Sequence, residues 1–576
     1  MATKLAPRPA ATLLLLRDGS LGPEAFLLQR TPSAAFLAGA HVFPGGALDR
    51  ADCDTRVLRR VAGLSDTEAS ARLGLDAGGL AFWVAAMREC FEEAGILIAE
   101  GEDGRAVDAA RAAALAPYRD LLHAGKLGFH EFLEQERLLL RARELAYCGH
   151  WVTAPGRARR FDTRFFLALA PAAQAGAHDG TELVASTWLR PLEAIEREAR
   201  GEIELVFATR NTLADLVRFA RAKDALEHAR EAEVETNRAC WALGPDGAAA
   251  LFRRRDPQYF EIHWCDPEET GQTSVALAPG IAKRLDPLVT RVIAPNPGMM
   301  TGPGTNTYLV GETELAVIDP GPAIDEHIAT VLAAGAGRIR WILCTHTHLD
   351  HSPAAAALKA ATGAVVIGRP APEHPGQDRG FAPERVMGHG DRFMFGGLTL
   401  RALHTPGHAS NHLCYLLENT RMLFTGDHVM QGSTVVINPP DGDMRAYLDS
   451  LQLLLGEDIL ILAPGHGYLI GEPHREARRL IRHRLAREQK VVWALERMRA
   501  PTPEELVAEV YDDVAPRLHG VALRSLSAHL DKLAAEGRAR AGEGRWSLVQ
   551  SSTDRVTAGG ARHEQPRSDA EAGHQP

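Results

Sequence analysis

The chain has 576 residues, of which 45% are hydrophobic and 24% are charged, and its formal net charge is −10. This length exceeds what one hydrophobic core supports and predicts about three to five domains. The composition is that of a globular protein and excludes a chain that is disordered throughout. The mild acidity excludes a dominant nucleic-acid surface, although a local basic patch remains compatible with it.

The seven cysteines are scattered along the chain and form no CxxC pair. This pattern predicts reduced thiols in the cytoplasm and argues against a cysteine-built zinc site. The apolar stretch within residues 4–17 is short and has no small-residue cleavage site, so it predicts a first β-strand rather than a leader. No segment approaches the roughly 18 apolar residues that a membrane span needs, and we expect a cytoplasmic protein without membrane contact.

Strands and helices alternate over residues 1–240, which predicts an α/β domain. The predicted elements include a glycine-rich turn at residues 43–49, an acidic helix around residues 87–96 and a long amphipathic helix over about 211–233. A closing strand is predicted within "DPQYFEIHWCDP", in a connecting segment (241–288) that otherwise has the turn residues of a linker.

The acidic helix places Glu89, Glu92 and Glu93 at i, i+3 and i+4 on one face. Like charges at this spacing weaken a helix unless a cation lies between them. Carboxylate oxygens are hard ligands of the kind that Mg²⁺ and Mn²⁺ prefer. The three glutamates are therefore consistent with a metal site or with a plain acidic helix in solvent.

The glutamates also belong to a longer pattern, the Nudix consensus, which has a glycine, five residues, an acid, seven residues and then an Arg-Glu segment. The second half of this consensus is intact as Arg88, Glu89, Glu92, Glu93, Gly95 and Ile96. Eight positions before Arg88 stands Leu80, which cannot ligate a metal. Gly46 and Asp52 have the spacing of the first half, but Asp52 lies 36 positions before Arg88 instead of eight, so 28 residues (53–80) are inserted. Such an insertion costs little loop-closure entropy.

With its inserted box and the segment "RRFDTRFF", the stretch 8–225 resembles the coenzyme A diphosphatases of the nucleoside-diphosphate-linked moiety X motif 19 type. The resemblance implies a Nudix α/β/α sandwich over residues 1–240 and a substrate of the CoA or nucleotide type. It implies Mg²⁺ or Mn²⁺ bound through Glu92 and Glu93, with Glu89 as ligand or base and Arg88 fixing a glutamate rotamer. Asp52 replaces the glutamate of the family, which leaves its role open. An inactive domain or a binding module remains an alternative.

The second half of the chain carries a histidine-rich turn, "THTHLDH", directly after the apolar strand "RWILC". Four side chains that can bind a metal converge on this turn: His346, His348, Asp350 and His351. Further along, His408, Asp427 and His466 each stand at a strand end beside a glycine. Imidazole and carboxylate ligands in this number suit a borderline cation such as Zn²⁺.

This ordered set is similar to that of the metallo-β-lactamase superfamily, and the resemblance covers about residues 290–545. It implies a four-layer αβ/βα sandwich over residues 289–484 and hydrolysis at two metal ions, Zn or alternatively Mn or Fe. It implies that one ion is held by His346, His348 and His408, that the other is held by Asp350, His351 and His466, and that Asp427 bridges them. Asp350 is also a candidate catalytic residue, and Asp319 is expected to orient the ligand loop.

The substrate stays open at this stage. The segments "NPGMMTGPGTNTYLVG" and "GSTVV" resemble the endoribonuclease β-lactamase-like protein 2, yet the same ligands occur in glyoxalase II, a thioester hydrolase. The bond cut is therefore a thioester, an ester or a phosphodiester. His404, His412 and His428 are nearby histidines that either support the ligands or only pack.

Residues 485–548 predict two helices and a hairpin with glycine at its tip, the order of a winged-helix module. Four arginines of this module are expected either to contact phosphate or to form a solvated or dimer-forming face: Arg524, Arg538, Arg540 and Arg545. The tail 549–576 lacks hydrophobic content and is predicted to be disordered.

The sequence thus predicts a bifunctional metal-dependent hydrolase of multidomain α/β fold. Its substrates are expected to be small molecules of the CoA or nucleotide type, because no basic stripe runs along the chain. The alternative is an RNA-processing endoribonuclease that binds single-stranded RNA and carries an inactive or binding Nudix domain. The sequence does not determine the oligomeric state.

Overall fold

A computed structural model of the protein describes residues 6–32, 37–172, 174, 176–179 and 183–549. They divide into two compact units, of which the first ends at Tyr259 but also takes in Asp266–Val275. The second unit consists of Phe260–Cys265 together with the chain from Ala276 onwards. Apart from its first residue, the tail predicted to be disordered lies outside the described residues.

The first unit contains strands and short helices in alternation, as predicted. Its strands are β1 (Arg8–Gly19), β2 (Gly22–Arg30), β3 (His41–Val42), β4 (Gly45–Ala47), β5 (Val61–Ala62), β6 (Ala99–Gly101), β7 (Leu138–Arg141), β8 (Ala146–Val152), β9 (Phe161–Leu169), β10 (Leu183–Leu189), β11 (Thr236–Arg238), β12 (Cys240–Leu243) and β13 (Ala249–Phe252). Its helices are α1 (Thr55–Leu58), α2 (Asp66–Leu73), α3 (Leu80–Ala94), α4 (Ala109–Leu115), α5 (Tyr118–His123), α6 (Phe129–Gln135), α7 (Pro191–Ala199), α8 (Phe207–Leu216) and α9 (Ala222–Glu231).

A mixed sheet in the order β10-β2-β1-β9-β8-β11 forms the centre of this unit, with β3 on β2 and β4 on β1. β1 runs parallel to β9, and Leu13 lies opposite Phe166. Because side chains alternate along a strand, Leu13 packs with Trp83 of α3 on one face, while Leu14 packs with Leu226 of α9 on the other. Helices therefore cover both faces of the sheet, as an α/β/α sandwich requires.

Two sequence predictions near the end of this unit are corrected. The long helix predicted over 211–233 is two helices, α8 and α9, because Asp18 of β1 accepts a hydrogen bond from the N–H of Ala222 at 2.7 Å and starts α9 anew. The closing strand predicted in "DPQYFEIHWCDP" is instead a helix, α10 (Tyr259–Cys265). Its aromatic residues favour a strand locally, but Tyr259 and Ile262 are both buried at helical spacing.

The second unit contains two sheets. Its strands are β14 (Ala282–Arg284), β15 (Val289–Ile293), β16 (Asn306–Val310), β17 (Leu315–Ile318), β18 (Ile339–Leu343), β19 (Val365–Gly368), β20 (Arg385–Val386), β21 (Arg392–Phe395), β22 (Leu398–His404), β23 (Leu413–Leu417), β24 (Met422–Gly426), β25 (Ile461–Pro464), β26 (Ile470–Gly471), β27 (Ala539–Gly542) and β28 (Arg545–Leu548). After α10, its helices are α11 (Asp325–Gly335), α12 (Ala354–Thr362), α13 (Met444–Leu454), α14 (Pro473–Arg497), α15 (Pro503–Val510) and α16 (His519–Ala535).

The two sheets follow the orders β14 to β20 and β21 to β26, so neighbours in sequence are neighbours in space. The inner core includes Tyr308 of the first sheet and Phe424 of the second, whose ring centroids lie 5.0 Å apart. α11 and α12 cover the outer face of the first sheet, and α13 and α14 cover that of the second. This is the predicted four-layer sandwich of helices, two sheets and helices.

The winged-helix module has a core of its own. Val491 of α14 packs there with Leu506 of α15 and Leu526 of α16, and the β27–β28 hairpin follows as predicted. α14 runs without a break through the predicted boundary between residues 484 and 485. One helix thus belongs to the sandwich at its start and to the winged helix at its end.

Candidate functional site

The predicted histidine and aspartate ligands all lie on loops at the carboxyl ends of strands. His346, His348, Asp350 and His351 occupy the turn between β18 and α12, whereas the other three stand on separate loops. His408 follows β22, Asp427 follows β24 and His466 follows β25. Because the two sheets face each other, these loops meet at one edge of the sandwich.

Three of the ring nitrogens form a first group. Nε2 of His346 lies 2.9 Å from Nδ1 of His348, which in turn lies 3.0 Å from Nε2 of His408. The remaining nitrogen of His408 is 2.9 Å from the carbonyl oxygen of Val436 and donates to it, which fixes the ring and leaves Nε2 as the donor atom for a cation.

A second group contains Asp350, His351 and His466. Oδ2 of Asp350 lies 3.3 Å from Nε2 of both histidines. Asp427 reaches both groups, because its Oδ1 lies 3.4 Å from His351 and 3.3 Å from His466 while its Oδ2 lies 3.6 Å from His408. The structure therefore brings all seven predicted ligands together, with Asp427 between the two groups.

The donor atoms fit a pair of divalent cations. Tetrahedral ligation at 2.0–2.1 Å separates neighbouring donor atoms by roughly 3.3 Å, close to the distances found here. Nε2 of His351, Oδ1 of Asp427 and Nε2 of His466 are buried without a hydrogen-bond partner. Buried polar atoms are normally satisfied, so three orphans aimed at one space indicate a ligand that is not a protein atom.

Electrostatics point the same way. Burial, together with the neighbouring His408, lowers the pKa of His348 to about 3, so its ring is neutral as a metal ligand must be. Burial also opposes protonation of His466, yet Asp427 and Asp350 raise its pKa to about 9. Two carboxylates thus hold positive charge in the middle of the site, and a cation satisfies the same requirement.

Asp319, directly after β17, forms hydrogen bonds that hold the loop between β18 and α12 in place. Its carboxylate accepts hydrogen bonds from the N–H of Thr345 at 2.7 Å and from the hydroxyl of Thr345 at 2.9 Å, and it lies 3.0 Å from Nδ1 of His351. Close packing extends to Gly465, where an added Cβ would lie 2.7 Å from the His351 ring and 2.8 Å from Asp427. Asp319 therefore sits where the resemblance implied.

The ligand groups open into a cavity of about 810 Å³. His348, Asp350, His408 and Asp427 line one part of it, and residues of α14 and α16 line another. Of the extra histidines, His412 packs with its ring 5.0 Å from that of His346, His428 packs 5.2 Å from Tyr447, and His404 lies 3.1 Å from the carbonyl oxygen of Ser410.

In the first unit, the two halves of the split box lie in contact. Arg88 of α3 donates from Nε to Oδ1 of Asp52 at 2.8 Å and from Nη2 to Oδ2 at 3.0 Å. Asp52 is only 1% exposed and belongs to a 3₁₀ turn (Arg50–Cys53). Asp52 therefore positions Arg88, and the inserted residues, which include α1 and α2, loop out between the two halves.

The three glutamates surround Arg88 and the glycine turn. Nη1 of Arg88 lies 3.0 Å from Glu89 and 2.9 Å from Glu92, so a cation does separate the acids. Glu93 accepts a hydrogen bond from the N–H of Gly45 at 2.8 Å. At Gly46 an added Cβ would lie 2.4 Å from the Glu89 carboxylate, which explains a glycine there. Hard oxygens at this density fit Mg²⁺ or Mn²⁺.

Burial raises the pKa of Glu89 to about 7, against the opposing effect of Arg88 and with the help of Glu92. A carboxyl with such a pKa takes up and releases protons near neutrality, as a general base must. Within the described residues, however, the close groups of three or more metal-binding side chains are those around His346, His351 and Asp427, all in the second unit.

Two of the four winged-helix arginines that were predicted to contact phosphate pair with carboxylates. Arg538 lies 2.7 Å from Glu488, and Arg545 lies 3.3 Å from Glu505. Arg540 bonds Ser547 at 3.3 Å, while Arg524 lines the cavity. Sequence reasoning missed Arg484, which is buried against the same cavity. The run "RRLIRHRLAREQK" resembles a solvated basic helix, and nothing in it signals that burial.

Comparison with known proteins adds the family. Residues 300–466 match the family model of the metallo-beta-lactamase superfamily. An atrochrysone carboxyl ACP thioesterase from Aspergillus chevalieri is 34% identical over 288 residues, which cover 46% of this chain and 89% of that protein. The chain belongs to the metallo-β-lactamase superfamily. Residues 502–546 match the beta-lactamase associated winged helix domain, and residues 59–209 match the NUDT19 Nudix domain, a match that begins after Gly46 and Asp52.

Other similar proteins also cover less than half of the chain. The thioesterase pkgB of Emericella nidulans is 35% identical over 40% of this chain and 66% of its own length. A β-lactamase-like protein 2 homolog of Caenorhabditis elegans is 29% identical over 44% of this chain and 87% of its own length.

Solved structures similar to parts of the chain include a metallo-β-lactamase family protein and a NUDIX hydrolase. A metallo-β-lactamase family protein from Thermus thermophilus has a TM-score of 0.40 at 21% identity and covers 46% of this chain and 100% of its own. A NUDIX hydrolase from Alicyclobacillus acidocaldarius has a TM-score of 0.32 at 30% identity and covers 39% of this chain and 97% of its own. Among the described residues, no helix combines the length and apolar character needed to cross a membrane.

Proposed function

We propose that the metallo-β-lactamase domain hydrolyses a thioester of an acyl group carried by coenzyme A or an acyl carrier protein. The observation that carries the proposal is the convergence of seven histidine and aspartate side chains with three orphaned donor atoms among them. Two of the similar proteins are named as thioesterases, which favours a thioester over the ester or phosphodiester that the ligand set also allows.

The proposed roles divide between the two groups of ligands. One ion would be held by His346, His348 and His408, and the other by Asp350, His351 and His466, with Asp427 within reach of both groups. We propose Zn or alternatively Mn or Fe. Such a metal pair, when bound, lowers the pKa of a water molecule and polarises the substrate carbonyl.

Asp350 is the residue best suited to move a proton. Its side chain is 26% exposed, more than its buried neighbours, and it lines the cavity. Its carboxylate can accept a proton of the attacking water and pass it to the departing thiolate. Asp319 acts indirectly, because it fixes the orientation of the His351 ring.

We further propose that the Nudix domain cleaves a diphosphate of the CoA or nucleotide type, with Mg²⁺ or Mn²⁺ held by Glu89, Glu92 and Glu93. Support comes from the intact contact between Asp52 and Arg88 across the insertion. The Arg88 guanidinium orients the two glutamates that it contacts, so each can present an oxygen to the cation.

The test compares the wild-type chain with His346→Ala/His348→Ala and Glu92→Gln/Glu93→Gln. We expect the histidine variant to lose its transition metal, about two ions per chain in the wild type, together with thioester hydrolysis. We expect the glutamate variant to lose CoA diphosphate hydrolysis alone. The exposed His389 and Glu134 provide matched controls, as His389→Ala and Glu134→Gln.

Three results would contradict these proposals. Metal-free wild-type protein that still hydrolyses thioesters would remove the metal site from the mechanism. Unchanged diphosphate hydrolysis in the glutamate variant would make the Nudix domain a binding or inactive module. Cleavage of single-stranded RNA, with no action on acyl-CoA, would favour the endoribonuclease alternative.

A further inference from the structure

Arg484, in the middle of α14, is a buried cation without a carboxylate partner. It is 3% exposed, its Nη2 donates to the carbonyl oxygen of Val435, and its guanidinium carbon lies 5.4 Å from the centroid of the Tyr447 ring. Its Nε has no hydrogen-bond partner. Among the residues that the structure describes, no carboxylate forms an ion pair with it, whereas Arg487, one turn later, pairs with Asp513 at 2.7 Å.

A buried charge of this kind is costly. Arginine keeps its proton in proteins, so burial does not neutralise it, and buried charges are normally paired. Neither a single carbonyl oxygen nor the face of a tyrosine ring supplies negative charge. The guanidinium therefore has unused capacity for an anion.

The position of Arg484 decides where that anion would lie. Arg484 lines the same cavity of about 810 Å³ as His348, Asp350, His408 and Asp427. The cavity has room for a ligand that reaches from the metal-binding residues to α14.

Three consecutive residues connect the two ends of the cavity. The carbonyl of Val435 accepts from Arg484, the carbonyl of Val436 accepts from His408 at 2.9 Å, and the N–H of Ile437 donates to the hydroxyl of Ser525 in α16 at 3.4 Å. Since adjacent residues are 3.8 Å apart along the chain, Arg484 and the ligand His408 are separated by on the order of 10 Å.

The wall between these ends is largely apolar. Its hydrophobic members come from the loops of the sandwich and from the winged helix, and they include Met300, Met430, Val435, Val514 and Val521. An apolar wall with polar groups at its ends favours a ligand that has a hydrocarbon middle.

We propose that Arg484 binds an anionic group of the substrate, a carboxylate or a phosphate, while the thioester carbonyl lies at the histidine and aspartate cluster. The inference rests on the thioester hydrolysis proposed above and adds the substrate class. This class consists of thioesters that carry a negative charge on the order of 10 Å from the reacting carbon. The anion has two sources, a carboxylate at the far end of the acyl chain or the phosphate of a phosphopantetheine carrier, whose longer arm brings its phosphate this close only when it is bent. In either case a planar guanidinium can bind two oxygens at once.

The wild-type chain is tested first with two matched pairs of thioesters. In one pair, N-acetylcysteamine thioesters of suberic acid end in a carboxylate or in the isosteric carboxamide. In the other, an octanoyl group is carried by 4′-phosphopantetheine or by pantetheine. We expect kcat/KM to be roughly 10- to 100-fold higher for the anionic member of one pair, mainly through KM, because a charge-assisted hydrogen bond is removed in the neutral member. The pair that shows the difference identifies the source of the anion.

The variants assign the preference to Arg484. Arg484→Met is expected to lose the preference, because its kcat/KM falls further on the anionic thioesters than on the neutral ones, and Arg484→Lys is expected to regain part of it. Arg482→Met, which removes an exposed arginine from the same helix, is the charge control and is expected to keep the full preference. If Arg484→Met does not fold, Arg484→Lys provides the test. A lysine cannot bind two oxygens in the planar manner of arginine, so a full wild-type preference in Arg484→Lys would contradict the proposal.

The outcomes separate this inference from the function on which it rests. A wild-type chain that hydrolyses both members of each pair at equal rates overturns the anion site and leaves thioester hydrolysis in place. Hydrolysis of none of the four compounds overturns both. A preference that survives in Arg484→Met, or an equal loss on neutral and anionic thioesters in that variant, shows that Arg484 only supports the fold and overturns the proposal.

Discussion

Asp319 shows how one residue outside the predicted ligand set orients the loop between β18 and α12. It is 3% exposed and has a left-handed φ of 51°, and its two oxygens bind Thr345 and His351. This backbone conformation is costly for a residue other than glycine, and the three hydrogen bonds that the carboxylate accepts offset the cost. The position was predictable from the sequence only through the resemblance, because nothing else in "VIDPG" distinguishes this aspartate from a turn residue.

We predict that Asp319→Asn lowers metal affinity and thioester hydrolysis by about 10- to 100-fold, because an amide holds the His351 ring less firmly and withdraws negative charge from it. Metal content after dialysis against a chelator and kcat/KM on an acyl-CoA measure the effect. Asp325→Asn, an exposed aspartate at the start of α11, is the control and is expected to match the wild type. Full metal retention in Asp319→Asn would contradict the orienting role.

Asp52 is a second residue whose role became clear only in the structure. Its spacing from Gly46, which is that of the consensus, identified it in the sequence, whereas counting back eight positions from Arg88 leads to Leu80. Its chemistry stayed open, because a carboxylate in this pattern could ligate a metal or hold an arginine. Both of its oxygens bind Arg88, so it acts on the glutamates indirectly.

At the scale of elements, the sequence was most informative where a strand ends in a loop of polar residues. The turn after β18 and the loops after β22, β24 and β25 were all predicted, because a hydrophobic run followed by glycine and histidine is a local signal. Elements defined by distant partners were not predicted. The start of α9 depends on Asp18, some 200 positions away, and α10 depends on partners in β14 and β15.

α10 carries Glu261, the centre of a buried ion cluster. Arg291 donates to its two oxygens at 2.7 and 2.8 Å, and Lys283 donates at 2.6 Å. The N–H of Leu469, three residues after the predicted ligand His466, donates to it at 3.1 Å. α10 therefore braces the loop that presents His466 to the site.

Although burial opposes ionisation of Glu261, Arg291 and Lys283 together lower its pKa to about 2. A carboxyl whose pKa is lowered from 4.5 contributes stability that is present above about pH 4.5 and is lost as the pH falls towards 2. We predict that Glu261→Gln lowers the free energy of unfolding by about 3 kcal/mol at pH 7, and that its difference from the wild type shrinks between pH 5 and pH 3. Denaturant unfolding at several pH values measures this, with the exposed Glu268→Gln as control. A difference that does not change with pH would assign the loss to packing rather than to charge.

At the scale of the whole molecule, each unit has its own hydrophobic cores, which are built from different residues. The family matches follow the same division, with the Nudix match in the first unit and the metallo-β-lactamase and winged-helix matches in the second. The chain crosses between the two units more than once, however. Phe260–Cys265 belongs to the second unit, and Asp266–Val275 returns to the first. A boundary of this kind cannot be read from composition, which marked all of 241–288 as a connecting segment.

This path predicts where the chain can be divided. A fragment of residues 256–549 retains Glu261 with Arg291 and Lys283, whereas a fragment of residues 276–549 leaves Arg291 buried at 1% exposure without its partner. Removal of one member of a buried ion pair costs about 3–5 kcal/mol, so the shorter fragment should unfold at lower denaturant concentration and bind metal less tightly. Denaturation curves and metal content of both fragments test this, and Glu261→Gln in the longer fragment should bring it close to the shorter one. Equal stability of the two fragments would mean that α10 is not part of the second domain.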